Sequence, residues 1–200
     1  MNTYFNITAP SEGYFEDKGS KFLAYTFPCY NEQDFKIALE QIKEQHPKAT
    51  HHCYAYRIGT DKNNFRANDD GEPSGSAGKP MLGQIDSFNL SNALVIVVRY
   101  YGGTNLGVSG LINAYKKATA EAFNKATIAE MEVMQEIMVN CSYLELNDLF
   151  NHLKSVGVDS WQEDYSENCK IQFSISLSNA ESLSLWLDER ELNYQLLKTE

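Results

Sequence analysis

Three polar segments of this sequence hold the residue types that do chemistry. The first is Asp69-Asp70-Gly71-Glu72-Pro73-Ser74-Gly75-Ser76-Ala77-Gly78-Lys79-Pro80. Its Gly and Ser residues stand just before a helix start, where backbone N–H groups lack internal partners, so Ser74, Ser76, Gly78 and Lys79 suit an anion. The carboxylates of Asp69, Asp70 and Glu72 could instead hold Mg2+, a hard, oxygen-seeking cation. A surface loop whose Asp and Ser side chains cap turns has the same composition. The second segment is Arg99-Tyr100-Tyr101-Gly102-Gly103-Thr104-Asn105-Leu106-Gly107-Val108-Ser109-Gly110, with four glycines in nine residues. A strand, a glycine-rich turn and a helix form a common phosphate cradle. This one lacks the G-K-[ST] ending of a Walker A loop and does not fit G-x-G-x-x-G. Close backbone packing in a sharp turn would also use such glycines. Arg99 ends an apolar strand, so its guanidinium needs a partner: Asp69, Asp70 or Glu72, or a ligand anion held bidentately.

The third segment is His51-His52-Cys53. On a strand, His51, Cys53 and Arg57 share one face, and His52 shares the other with Tyr54 and Tyr56. His51 and Cys53 then stand roughly 7 Å apart, too far for a nucleophile–base hydrogen bond. Cys53 reads as a small packed residue, and His51 and His52 as polar walls of a pocket. Candidate ligand contacts are therefore Arg99, Tyr100, Gly102, Gly103, Thr104, Asn105 and Gly107, with Ser74, Ser76, Gly78, Lys79, His51, His52, Arg57 and Lys21. No catalytic residue and no metal ligand set is assigned.

The elements that position these groups are legible in outline. Phe22–Phe27 predicts a strand. Asn31 precedes a helical pattern of Phe35, Ala38, Leu39 and Ile42, stopped at Pro47. His51–Ile58 predicts a strand, and Asp61–Gly78 a long polar loop. A short helix follows with Pro80 near its start. Leu94–Val98 is an uninterrupted apolar run, as in a strand buried on both faces. A long helix from about Gly107 to Ala126 carries a seam of Leu111, Tyr115, Ala118 and Ala122. Residues 127–135 read as a linker or helix end. The remainder, 135–200, reads β-α-β-β-α-β, the ferredoxin-like order.

The net charge of −10 is uneven: residues 1–134 hold 13 Lys+Arg against 15 Asp+Glu, and residues 135–200 hold 4 against 12. A generic polyanion binder needs a basic footprint. Here only a local patch of Lys18, Lys21, Arg57, Lys79 and Arg99 could supply one, and nothing selects DNA. No apolar run approaches the roughly 18 residues of a membrane span, and the start, Met1-Asn2-Thr3-Tyr4-Phe5, carries no signal-peptide core. The expectation is a cytoplasmic protein. Cys29, Cys53, Cys141 and Cys169 are scattered, with no C-x-x-C pair, so neither a disulfide framework nor a zinc site is expected.

Together, Thr50-His51-His52-Cys53-Tyr54-Ala55-Tyr56-Arg57, Asp69 to Gly78, Val98 to Gly107, and Lys18-Gly19-Ser20-Lys21-Phe22 closely resemble the IMPACT N-terminal domain as found in YigZ-type bacterial proteins. The resemblance covers about residues 10–130. Residues 135–200 resemble the companion domain of those proteins, similar to the C-terminal ferredoxin-like domain of elongation factor G. The resemblance implies an α+β protein of two domains: 1–131, a ribosomal-protein-type fold with a left-handed βαβ unit, and 135–200, a ferredoxin-like sandwich. Eukaryotic IMPACT relatives act in translational stress control, so it also implies a binding role at the ribosome, an RNA or a translation factor. The alternative is an enzyme or sensor for a phosphorylated small molecule, with or without Mg2+.

Overall fold

The computed structural model describes residues 2–165 and 169–199. Of the two expected ranges, Met1, 166–168 and Glu200 lie outside the described residues. The chain forms two compact units, Tyr4–Met131 and Glu132–Glu200, the latter together with Met1–Thr3. The elements run β1 (Thr3–Ile7), β2 (Ser11–Asp17), β3 (Ser20–Pro28), α1 (Glu32–Gln45), β4 (His51–Ile58), β5 (Asn64–Asn68), α2 (Gly78–Ser87), β6 (Ala93–Tyr100), α3 (Gly107–Lys125) and β7 (Ile128–Glu132). There follow β8 (Met134–Cys141), α4 (Leu146–Ser155), β9 (Gln162–Asp164), β10 (Cys169–Ser176), α5 (Leu177–Glu189) and β11 (Asn193–Thr199).

The first unit is built on a five-stranded antiparallel sheet of order β2-β3-β6-β4-β5. Strand β6 is its centre, and seven of its eight residues are buried, all but Tyr100. Alternation splits them between two cores. Leu94, Ile96 and Val98 pack with Phe35, Ala38 and Ile42 of α1. Ala93, Val95 and Val97 pack with Met81 and Ile85 of α2 and with Leu111, Tyr115 and Ala118 of α3. Burial of each large aliphatic side chain contributes about 1.5–3 kcal/mol, which makes β6 the anchor of the sheet. Helix α1 starts where Asn31 Oδ1 accepts from the Gln33 and Asp34 amides, at 2.8 and 3.0 Å. On the opposite layer α3 lies so close to β2 that a Cβ at Gly13 would stand 2.4 Å from the Ala122 nitrogen. Only glycine fits that approach.

Three strands depart from the sequence reading. Residues Asn64–Asn68, expected within a loop, form the edge strand β5, and all but Asn68 are exposed. An edge strand with so little burial carries no apolar period to read. Residues 127–135, expected as a linker or helix end, contain β7, which pairs with β1 as a separate two-stranded ribbon. β1 itself was not anticipated; both strands of the ribbon are short.

In the second unit the sheet order is β11-β8-β10-β9 and all pairs are antiparallel. With α4 and α5 packed on one face this is the ferredoxin-like arrangement. Its core joins Ile137, Val139, Ile171, Phe173 and Ile175 to Leu149 and Leu153 of α4 and Leu183 and Leu187 of α5.

Candidate functional site

The site lies where β6 ends and β3 and β4 begin. The registers place Arg99 directly between Phe22 and His51. Three loops meet at this end: the Lys18-Gly19 turn, the acidic segment 69–77, and the glycine loop 101–106. Arg99 continues the alternation of Val95 and Val97, so its side chain enters the layer between the sheet and α3, and it is only 6% exposed. An unpaired guanidinium there would be costly. Its Nη1 donates to Glu72 Oε1 at 2.7 Å. The Tyr115 hydroxyl donates to the same oxygen at 2.8 Å, and His51 Nε2 lies 3.9 Å from it. Arg99 Nη2 reaches Ser20 Oγ at 3.4 Å. The guanidinium also lies over the rings of Phe22 and Tyr101, each at 5.5 Å. Arg99 Nε is fully buried and, among the described residues, has no hydrogen-bond partner.

The Cys53 thiol stands 3.0 Å from the Asp69 carbonyl and 3.2 Å from the Tyr115 hydroxyl, and can donate to either. Burial pushes the Cys53 thiol far up, and burial together with Cys53 and Glu72 does the same to Tyr115. Both therefore stay protonated and act as donors, and Cys53 has no thiolate to offer as a nucleophile. Glu72, with its partners Arg99, Tyr115 and His51, is the centre of this buried network.

The other carboxylates turn elsewhere. Asp69 accepts from the amides of Gly75, Ala77 and Gly78 at 2.8, 3.0 and 2.8 Å. It is thus the internal anion at the start of α2, filling the place the sequence offered to a ligand around Ser74, Ser76 and Gly78. Ser76 is buried and donates to the Pro73 carbonyl at 2.6 Å. Asp70 Oδ2 accepts from the His52 amide at 2.6 Å, and the Asp70 carbonyl contacts His51 Nδ1 at 2.7 Å. Asp69, Asp70 and Glu72 therefore do not converge on one point. Among the described residues no group of three His, Cys, Asp or Glu could hold a metal ion.

The glycine loop differs. Tyr101, Gly102, Gly103, Thr104, Asn105 and Gly107 are all exposed. Gly102 is pressed against the β2–β3 turn: its amide donates to Ser20 Oγ at 3.1 Å, and a Cβ there would stand 2.0 Å from the Gly19 carbonyl carbon. That glycine serves backbone-to-backbone contact. Gly103 and Gly107 have φ of 83° and 72° with open space around them. No side chain caps α3, whose N-cap position is Leu106.

The remaining candidates separate. Tyr100, His52 and Lys21 belong to the α1 side of the sheet, opposite Arg99. There Tyr25 and Tyr100 hydroxyls hold the two nitrogens of His46 at 2.7 and 3.0 Å, and His52 Nε2 meets the His46 carbonyl at 3.2 Å. Burial keeps the His52 imidazole below its usual range. Arg57 sits near the far end of β4 and is engaged by both carboxylate oxygens of Asp86, away from the Arg99 group. Lys79 is exposed in the first turn of α2. Sequence reading missed Tyr115, Ser20 and Tyr101. A tyrosine at a seam position of α3 is the available signal, because a buried hydroxyl needs a partner.

Comparison with known proteins places this architecture. Residues 18–123 match the family model of the Impact N-terminal domain. The IMPACT family member YvyE of Bacillus subtilis is 33% identical over 189 residues, 94% of this chain and 87% of that protein. The IMPACT family member YigZ of Escherichia coli is 33% identical over 74% of each chain. A crystal structure of a hypothetical protein superposes with a TM-score of 0.77 at 30% identity, covering 100% of this chain and 98% of that one. The four sequence segments gathered around Arg99 all lie within the matched domain, and the chain belongs to the IMPACT family.

Proposed function

We propose that the chain is a binding protein of the translation apparatus, and that it contacts phosphate groups of RNA at the Arg99 end of the first unit. The observation that carries this reading is the buried Nε donor of Arg99, without a hydrogen-bond partner among the described residues, on the strand that leads into the exposed glycine loop. A guanidinium fixed by Glu72 and two aromatic rings is pre-oriented, and its spare donor suits an anionic oxygen. The adjoining 101–106 loop has room to adapt to a ligand, since Gly103 and Gly107 have positive φ and open space around them. Lys18 stands exposed at the same end of the sheet, Lys21 is exposed at that end on the opposite face, and Tyr101 is 48% exposed. Lysines for the backbone and an aromatic face for a base are the usual parts of a single-strand contact.

The test is co-sedimentation with bacterial ribosomes at low and moderate salt. Wild type is expected to bind at low salt and lose affinity steeply as salt rises. The Lys18→Ala, Lys21→Ala double variant, which leaves the core untouched, is expected to flatten the log–log salt slope by about 1–2. Tyr101→Ala is expected to weaken binding by about 1–3 kcal/mol. No binding at low salt overturns the ribosome reading. A phosphorylated small molecule at the same donor is then tested by thermal shift, where ligand at 100 times its Kd adds about 2.7 kcal/mol.

A further inference from the structure

The four cysteines are too scattered in sequence to suggest a framework, yet the fold of the second unit sets two of them face to face. Cys141 is the last residue of β8, Cys169 the first of β10, and they are direct partners in the antiparallel register. Both follow the alternation that points Val139 and Ile171 toward the helices, so their side chains share one face of the sheet. We infer that Cys141 and Cys169 are a redox modification site that closes reversibly as a cross-strand disulfide.

The geometry supports closure and reversal alike. Directly opposed residues have Cα atoms about 4.5 or 5.5 Å apart, within the roughly 4.4–6.8 Å that a disulfide spans. Their Cβ atoms stand about 4.5–5.5 Å apart, against about 3.5–4.5 Å in a disulfide. The strand ends must draw together slightly, and a disulfide formed under strain is the more easily reduced. Access decides the order. Cys169 is 2% exposed, whereas Cys141 is partly open to solvent. The remaining cysteines have no such neighbour: Cys29 and Cys53 are fully buried, in separate cores on opposite faces of the other unit's sheet.

The oxidant is a low-molecular-weight disulfide. The Cys141 thiol loses its proton to solvent, and its thiolate attacks one sulfur of the reagent. The reagent's S–S bond breaks, one reagent thiolate leaves and takes up a proton, and Cys141 carries a mixed disulfide. The Cys169 thiolate, its proton also lost to solvent, then attacks the Cys141 sulfur. The protein disulfide forms and the second reagent thiolate leaves and is protonated. Two electrons and two protons pass from the dithiol to the reagent, giving two small thiols. Burial and the neighbouring Cys169 push the Cys141 thiol up to about 11. The attacking thiolate is therefore scarce at neutral pH, and closure is slow there and faster in base.

The full chain is incubated with oxidised glutathione from about pH 7 to about pH 9, quenched and alkylated, and its thiols are mapped by peptide mass spectrometry. The expected product is a Cys141–Cys169 cross-link lacking two hydrogens, formed roughly tenfold faster per pH unit and reversed by excess reduced glutathione. Cys141→Ser is expected to leave Cys169 unmodified, and Cys169→Ser to trap the Cys141–glutathione adduct. The inference is overturned if the wild type ends with glutathione on Cys141 and a free Cys169. It is equally overturned if cross-links form to Cys29 or Cys53, or if all four thiols stay free. The wild-type map decides the matter even if a serine variant fails to fold.

Discussion

Helices α2 and α3 both begin in glycine-containing loops beside Arg99, and their first turns are finished in different ways. At α2 the Asp69 carboxylate takes three backbone amides and supplies the negative charge that a helix start favours. At α3 the N-cap is Leu106, and no acidic residue lies in the first turn. The two loops are equally glycine-rich to the eye, but one is filled by its own side chain and the other faces solvent. A Gly/Ser-rich approach to a helix is thus evidence for a ligand only after the nearby carboxylates have been accounted for.

The largest expected effect comes from the network that both loops share. Arg99→Ala leaves Glu72 buried without its charge partner and is expected to cost about 3–5 kcal/mol in urea unfolding. The paired change Arg99→Met with Glu72→Leu is expected to recover most of that loss, because no lone buried charge remains. A cost under about 1 kcal/mol for Arg99→Ala would mean that water reaches the pair, and the buried-network account would fall. Next in size is Asp69→Ala, which strips the internal anion from α2. It is expected to cost about 1–3 kcal/mol, read as a lower denaturation midpoint with unchanged m-value. An effect near zero would erase the contrast between the two helices. The smallest change sharpens it: Val108→Glu places a charge in the exposed first turn of α3. It is expected to stabilise by about 0.3–1 kcal/mol at low salt and to lose that gain as salt rises. The same variant should weaken ribosome binding; stabilisation without any change in binding would separate α3 from the site.

How much of this was legible depends on what each residue's neighbours had to be. β4 and β6 could be read from sequence because burial on one or both faces leaves a dense apolar run, and α1 because Asn31 and its spaced apolar residues agree. β5 could not, since four of its five residues face solvent. Three carboxylates stood as partners for Arg99, and spacing could not choose among them. The choice follows from backbone placement: Asp69 is taken by the α2 amides and Asp70 by the His52 amide, leaving Glu72. Tyr115 read as one more seam residue of α3, because helical spacing locates a side chain but says nothing about its hydroxyl. The period-2 rule did separate His51 from His52, and along β6 it puts Tyr100 opposite Arg99; Lys21 follows only once the β3–β6 register is known.

The order β2-β3-β6-β4-β5 also governs how the molecule comes into being. A ribosome delivers β3 and β4 well before β6, the strand that both of them need as a neighbour. At about 5–20 residues per second, the interval between completing β4 and completing β6 is roughly 2–8 s. Through that interval two strands with apolar faces wait with open inner edges, exposed to wrong pairings. Glu72 waits as well, since Arg99 and Tyr115 are synthesised after it. The first unit therefore closes from its middle and late, and its buried ion pair is the seal on that closure rather than the seed of it.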